Sequence, residues 1–331
     1  MLAHDGRPTR IVFDTNVWRH KFAAEAEDEF GSLMRELTTR SVLEVYFTFE
    51  NLQELGAGRA DNKETSFSSI FDLAYRLTRG NVIVSGTELI AEWLVKELGV
   101  TYERKFPDWA PFFCYYRVIA DNPKRVALEE SLALKWKGHK SCWKVEAKAT
   151  IDRLRTIETV FGRIIAEGDI LSAGVSLQDR ADEVGIVLRK SACDGISDCI
   201  PFELLKSAYS AHLRACLAKT DPKAPKSSDL IDLEICASLC FADYLVSDDA
   251  GFVRLMGQST DPRLARGVVS YGDFEKAISE GLILVPREDA DHLDVCDVEV
   301  PLTPEPVRVW SYAPRLVYPS GRAGGTNRAH V

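Results

Sequence analysis

Hydrophobic and polar positions follow two different periods along this chain, and the changes of period mark out its elements. Ile11, Val12 and Phe13 form an unbroken β-branched and aromatic run, the pattern of a buried parallel strand, and the run ends in Asp14, Thr15 and Asn16. From Asp232 the apolar residues Leu233, Cys236, Ala237, Leu239 and Cys240 recur at helical spacing, and Tyr244 to Ser247 then reads as a short buried strand ending in Asp248 and Asp249. Another strand is expected near Val82 to Ser85. Apolar residues at spacings of three and four predict helices over Ile90 to Leu98, Val126 to Trp136, Lys144 to Glu167 and Phe202 to Leu217, with turn signals at Asp121-Asn122-Pro123 and near Gly195. A helix after Asn16 is expected to begin near Val17.

The acids draw attention because of where the pattern puts them. An aspartate at the carboxyl end of a buried strand lies where open α/β sheets place their sites. If the strands at Ile11 and Tyr244 share one parallel sheet, Asp14, Asp232 and the pair Asp248 and Asp249 converge on one edge. Several anions in one low-dielectric cleft repel and resist ionising together, which points to a bound divalent cation. Each acid also has a structural reading: Asp14, Thr15 and Asn16 are good helix N-caps, and Asp229 and Asp232 suit a first helical turn.

These residues resemble the PIN-domain family of metal-dependent nucleases. Its opening strand and Asp-Thr-Asn motif stand here as Val12-Phe13-Asp14-Thr15-Asn16, and its late signature is similar to the stretch from Ala242 to Asp249. The segment from Tyr46 to Leu55 resembles the family's second strand and acid-bearing helix, and Val268 to Phe274 its closing strand and short helix. The resemblance implies a three-layer α/β/α core with a central parallel sheet, in which Asp14, Glu54, Asp232 and Asp249 are the catalytic, metal-binding acids. Asp229 competes with Asp232, Asp248 with Asp249 and, more weakly, Glu50 with Glu54. Asn16 and Ser247 are the expected orienting residues.

The implied chemistry is metal-assisted phosphodiester hydrolysis. One or two Mg2+ or Mn2+ ions would activate a water, polarise the phosphoryl oxygen and stabilise the leaving 3′ oxygen. RNA is the favoured substrate by analogy with the family, making the chain a ribonuclease, with a structure-specific DNA nuclease as the alternative. A phosphatase that opens with Asp-x-Asp is disfavoured, because Asn16 stands where its second aspartate is needed. A catalytically silent PIN-like module that binds RNA or protein is the contrasting expectation. The number of acids argues against it, since buried anions with no metal to hold would only destabilise.

Length changes the picture by requiring an insertion. The strand near Val82 ends at Ser85, and 143 residues separate it from Asp229, far more than one helical connection needs. The chain therefore divides into a first part of the core (1–100), a mostly helical insertion (101–226), a second part of the core (227–300) and an extended, proline-rich tail (301–331) whose end is expected to be disordered. Val307 to Trp310 alternates in the manner of a small added strand or an extended arm. The aromatic cluster from Phe106 to Tyr116 reads as a junction between packed units, with base stacking as the alternative, and Thr220 to Ser228 as a linker back into the core.

Charge bears on partners. The net charge of −9 is awkward for a nucleic-acid enzyme, but between Lys124 and Arg163 ten basic residues face five acidic ones. Lys135, Lys137, Lys140, Lys144 and Lys148 are interleaved there with Trp136 and Trp143, a composition suited to single-stranded nucleic acid and equally to an amphipathic helix with solvated lysines. An antitoxin, a larger assembly or self-association are further partner expectations.

The eight cysteines form no Cys-x-x-Cys pair and read as reduced core residues. With 46% hydrophobic and 27% charged residues the chain is of globular composition. No apolar run reaches membrane-spanning length, since Asp243 interrupts the longest, and the first residues lack the pattern of a signal peptide. A cytoplasmic location without membrane contact is expected.

Overall fold

A computed structural model describes residues 7–22, 29–60, 67–98, 134, 145, 148–156, 199–218, 229–282, 284–291, 293–298 and 307–312. Their strands are β1 (Thr9–Phe13), β2 (Leu43–Thr48), β3 (Asn81–Ile83), β4 (Tyr244–Ser247), β5 (Val268–Ser270), β6 (Asp294–Val298) and β7 (Val307–Ser311). They form one sheet in the order β5-β4-β1-β2-β3-β7-β6. The five strands from β5 to β3 are parallel, β7 continues parallel beside β3, and β6 returns antiparallel to β7. Helices flank this sheet in a three-layer α/β/α arrangement.

The helices in chain order are α1 (Thr15–Val17), a π-helical turn (Trp18–Phe22), α2 (Glu29–Thr39), α3 (Phe49–Ala60), α4 (Phe67–Thr78), α5 (Gly86–Leu98), α6 (Ile200–Leu217) and α7 (Asp229–Glu234). A 3-10 helix (Ile235–Cys240), α8 (Ala250–Met256), α9 (Pro262–Gly267) and α10 (Tyr271–Ser279) follow. Residues 148–156 of the insertion are helical; most of segment 101–226, including the aromatic cluster and the linker, lies outside the described residues.

Hydrophobic runs become central strands because helices cover both faces of the sheet. Ile11, Val12, Phe13, Val45, Tyr46, Phe47, Leu245 and Val246 are all buried. Phe13 anchors an aromatic cluster, meeting Trp18, Phe22 and Phe274 edge to face at 5.4, 5.1 and 5.5 Å between ring centres. Two expectations change in detail. The helix after Asp232 tightens from α to 3-10 at Ile235, where every residue through Cys240 is buried and Ser238 Oγ donates to the Ile235 carbonyl at 2.6 Å. The helix expected near Val17 is a single α turn followed by the wider π turn.

Close approach at Gly86 joins the early and late parts of the core. A Cβ on this first residue of α5 would lie 2.9 Å from the Ala237 Cβ and 3.0 Å from the Glu234 carbonyl oxygen, so only glycine lets α5 sit against the 3-10 helix. The described cysteines Cys199, Cys216, Cys236 and Cys240 are buried free thiols, as the core reading expects. No described helix is long and apolar enough to cross a membrane.

At the amino end of the sheet a buried carboxylate ties three distant segments together. Asp243 is fully buried and accepts both Arg7 guanidinium nitrogens, at 2.8 and 2.7 Å, together with the backbone N–H groups of Arg10 at 2.8 Å and Arg287 at 2.7 Å. Arg7 also donates to the Arg287 carbonyl at 2.8 Å, and Thr9 Oγ1 to the Leu284 carbonyl at 2.6 Å. Removing one partner of such a buried pair leaves the other charge and the backbone donors uncompensated. Asp243→Ala is expected to lower the unfolding free energy by about 3 kcal/mol in urea titrations. A loss below about 1 kcal/mol, the range of exposed ion pairs, would show that this clamp does not hold the sheet.

Candidate functional site

Strand order reverses beside β1. The chain runs from β1 to β2 to β3 on one side, and then β4 and β5 build out on the other, so the crevice outside the carboxyl ends of β1 and β4 is the topological switch point where doubly wound sheets bind ligands. Asp14 and Ser247 end these two strands. The Asp14 N–H donates to the Val246 carbonyl at 2.9 Å, carrying the ladder one residue past β1. Ser247 Oγ then donates to Asp14 Oδ2 at 2.7 Å, and Asn16 Nδ2 reaches the same oxygen at 3.4 Å.

Buried polar groups concentrate at this edge. Thr15, Thr48, Asn51 and Ser247 are all buried, and Asn51 links two strand ends by donating to Thr15 Oγ1 at 3.1 Å while its Oδ1 accepts the Thr48 N–H at 3.1 Å. Asp14 is 2% exposed. It occupies the N-cap position of α1, where it makes no close side-chain capping bond, although the Asn16 and Thr15 backbone N–H groups draw its carboxyl down. Burial pushes its carboxyl up to about 6; the Ser247 hydrogen bond opposes this, and the Glu54 charge adds to it.

Of the other predicted acids, Glu54, Asp248, Asp249 and Glu50 have local partners. Glu54 on α3 accepts Arg19 Nη1 at 3.0 Å, while Arg19 Nη2 donates to the Glu54 carbonyl at 3.0 Å. Asp248 lies 3.4 Å from Lys21 Nζ and 3.6 Å from His20 Nδ1. Asp249 caps α8, its Oδ1 accepting the Gly251 and Phe252 N–H groups at 2.7 and 3.0 Å. Asp232 lies one turn before Cys236, whose thiol donates to its carbonyl at 3.4 Å; burial holds that thiol well above its ordinary range, and the charges of Asp232 and Asp14 both push it further. Asp229 is the first residue of α7, and its side chain lies outside the described residues. Glu50 points to the α5 start, its Oε1 accepting the Gly86 N–H at 2.8 Å; burial, with the Glu234 charge, pushes it up to about 7.

This arrangement corrects the expected chemistry. Among the described residues, no group of three or more histidine, cysteine, aspartate or glutamate side chains is placed to hold a metal ion. The metal-dependent nuclease, its ribonuclease and DNA-nuclease forms and the Mg2+ or Mn2+ ions are therefore not what this edge supports. The physical reason lies in the partners. The acids do share one end of the sheet, but Arg19 answers Glu54, Lys21 and His20 answer Asp248, and backbone N–H groups occupy Asp249. The charges of Glu54, Asp248 and Asp249 are answered by the chain's own basic side chains and amides, while burial and the Glu54 charge still hold the Asp14 carboxyl up.

Those cations were not singled out in the sequence, although Arg19, His20 and Lys21 form an unbroken basic run between Trp18 and Phe22. Of the predicted nucleic-acid contacts, Lys135, Lys137, Lys140, Trp143 and Lys144 lie outside the described residues, while Lys148 is described and exposed. Comparison of the chain with protein-family models, curated proteins and solved structures gave no match.

Asp14 ionisation gives a measurable signature. An unfolded aspartate ionises near 3.8 and the folded one near 6, so between these values the unfolded chain binds fewer protons and folding stability falls as pH rises. The loss begins above pH 3.8, is complete a little above pH 6, and is on the order of 3 kcal/mol. Asp14→Asn keeps an oxygen for Ser247 and has no ionisation to suppress. Urea unfolding from pH 4 to 7 is expected to show the variant gaining on the parent across that interval and holding its gain above it. Parallel stability profiles would refute the assignment.

Proposed function

We propose that this chain is a PIN-like module that binds single-stranded RNA through the switch-point crevice and does not cleave it. The observation that carries the reading is the set of buried polar groups where β1 and β4 end, with Asp14 held by Ser247 and its acidic neighbours answered by side-chain cations. A fold that spends stability on buried polar groups at one edge commonly does so at a functional site. The Asp-Thr-Asn strand end and late Ser-Asp-Asp motif favour the PIN-like class over other doubly wound folds, and that class favours nucleic acid as partner.

The insertion adds support of a second kind. Its described helical stretch buries Ile151 and Leu154 and exposes Lys148 and Arg153, so basic side chains there face solvent. Phosphate binding by such residues is sequence-independent and strongly salt-dependent.

Labelled single-stranded RNA should bind the full chain at low salt, with affinity unchanged by EDTA, Mg2+ or Mn2+ and falling steeply as salt rises, and the RNA should be recovered intact. Absence of binding at low salt, or cleavage that appears with Mn2+ and stops with EDTA, would overturn this reading.

A further inference from the structure

The π-helical turn at Trp18–Phe22 is the most unusual local structure at the crevice. Such turns are rare and recur at functional sites. Trp18 and Phe22 are buried in the aromatic cluster around Phe13, which leaves the three residues between them, Arg19, His20 and Lys21, turned toward the crevice acids. The Trp18 indole N–H is buried without a hydrogen-bond partner among the described residues. A rare winding and an unpaired donor are both unfavourable, and what they achieve is the presentation of three consecutive basic side chains.

These cations are held in two different ways. Arg19 is mostly buried and makes two 3.0 Å hydrogen bonds to Glu54, one to its carboxylate and one to its carbonyl. His20 and Lys21 share the single carboxylate of Asp248 at 3.6 and 3.4 Å, and their side chains are 61% and 32% exposed. Long, solvated contacts of this kind contribute little to stability, so an incoming anion can take the Lys21 ammonium and the His20 ring from Asp248 at small cost. Lys21 also lies 5.2 Å from the Tyr271 ring centre, which keeps its ammonium at the crevice mouth.

We infer that His20 and Lys21 are the phosphate-binding element of the crevice, exchanging Asp248 for the backbone phosphates of single-stranded RNA, while Arg19 holds the turn on α3 through Glu54. This rests on the RNA-binding reading above. Asp248 then acts as a built-in competitor, occupying the cations until a phosphate displaces it, so removing the competitor and removing the cations have opposite effects.

The test measures RNA affinity of the full chain across a salt series by fluorescence anisotropy, for the parent, His20→Gln with Lys21→Gln, Lys21→Gln alone, and Asp248→Asn. All of these side chains are partly or largely exposed, and thermal unfolding establishes that each variant is folded. The double variant is expected to bind about 10-fold more weakly, with a salt slope shallower by about 1 to 2, and the single variant to lie between it and the parent. Asp248→Asn is expected to bind about 3-fold more tightly. If the parent binds RNA but the glutamine variants match it in affinity and slope, or Asp248→Asn weakens binding, this inference fails and the RNA-binding reading stands. If the parent does not bind RNA, both fail.

Discussion

The hydrogen bond from Ser247 to Asp14 crosses the one seam on which this architecture depends. β1 and β4 come from opposite ends of the described core, and their pairing is what turns two half-sheets into one. Parallel pairing puts both carboxyl ends at the same edge, and helices on both faces leave that edge as the place where polar side chains gather. Asp14 and Ser247 sit where the two halves meet, so the candidate site and the joint of the fold are the same structure.

The two ends of this seam treat a buried carboxylate in opposite ways. At the amino end Asp243 receives a guanidinium and two backbone amides, a saturated arrangement that leaves nothing for a ligand. At the carboxyl end Asp14 has only neutral donors, among them the Ser247 hydroxyl and the Asn16 and Thr15 backbone N–H groups, with Glu54 repelling it, and its carboxyl is pushed up to about 6. Full charge compensation accompanies structural closure, and incomplete compensation accompanies a site that can still respond to its surroundings.

Much of the layout was readable from the chain because parallel strands announce themselves as continuous apolar runs. Ile11 to Phe13 and Tyr244 to Ser247 needed no tertiary information, and neither did the acids placed just beyond them. What each acid does was not readable. Whether Asp249 faces a cation or folds back onto the Gly251 and Phe252 amides depends on how α8 leaves the strand, and whether Glu54 is free depends on Arg19, thirty-five residues away in sequence. The basic turn was visible as three consecutive basic residues between two aromatics, but an α-helical period assigned to that stretch hides the π winding that presents them together. β6 was missed for a different reason: Asp294 and Asp297 mask its alternation, as suits a strand at an open margin.

The central position of β1 also sets an order of events during synthesis. Residues that supply its second neighbour, Tyr244 to Ser247, emerge from the ribosome more than two hundred positions after β1 itself. Until then β1, β2 and β3 can form only half a sheet, with an apolar strand bare along one side and open to pairing with other chains. Completion of the sheet therefore comes late in synthesis and depends on very long-range closure.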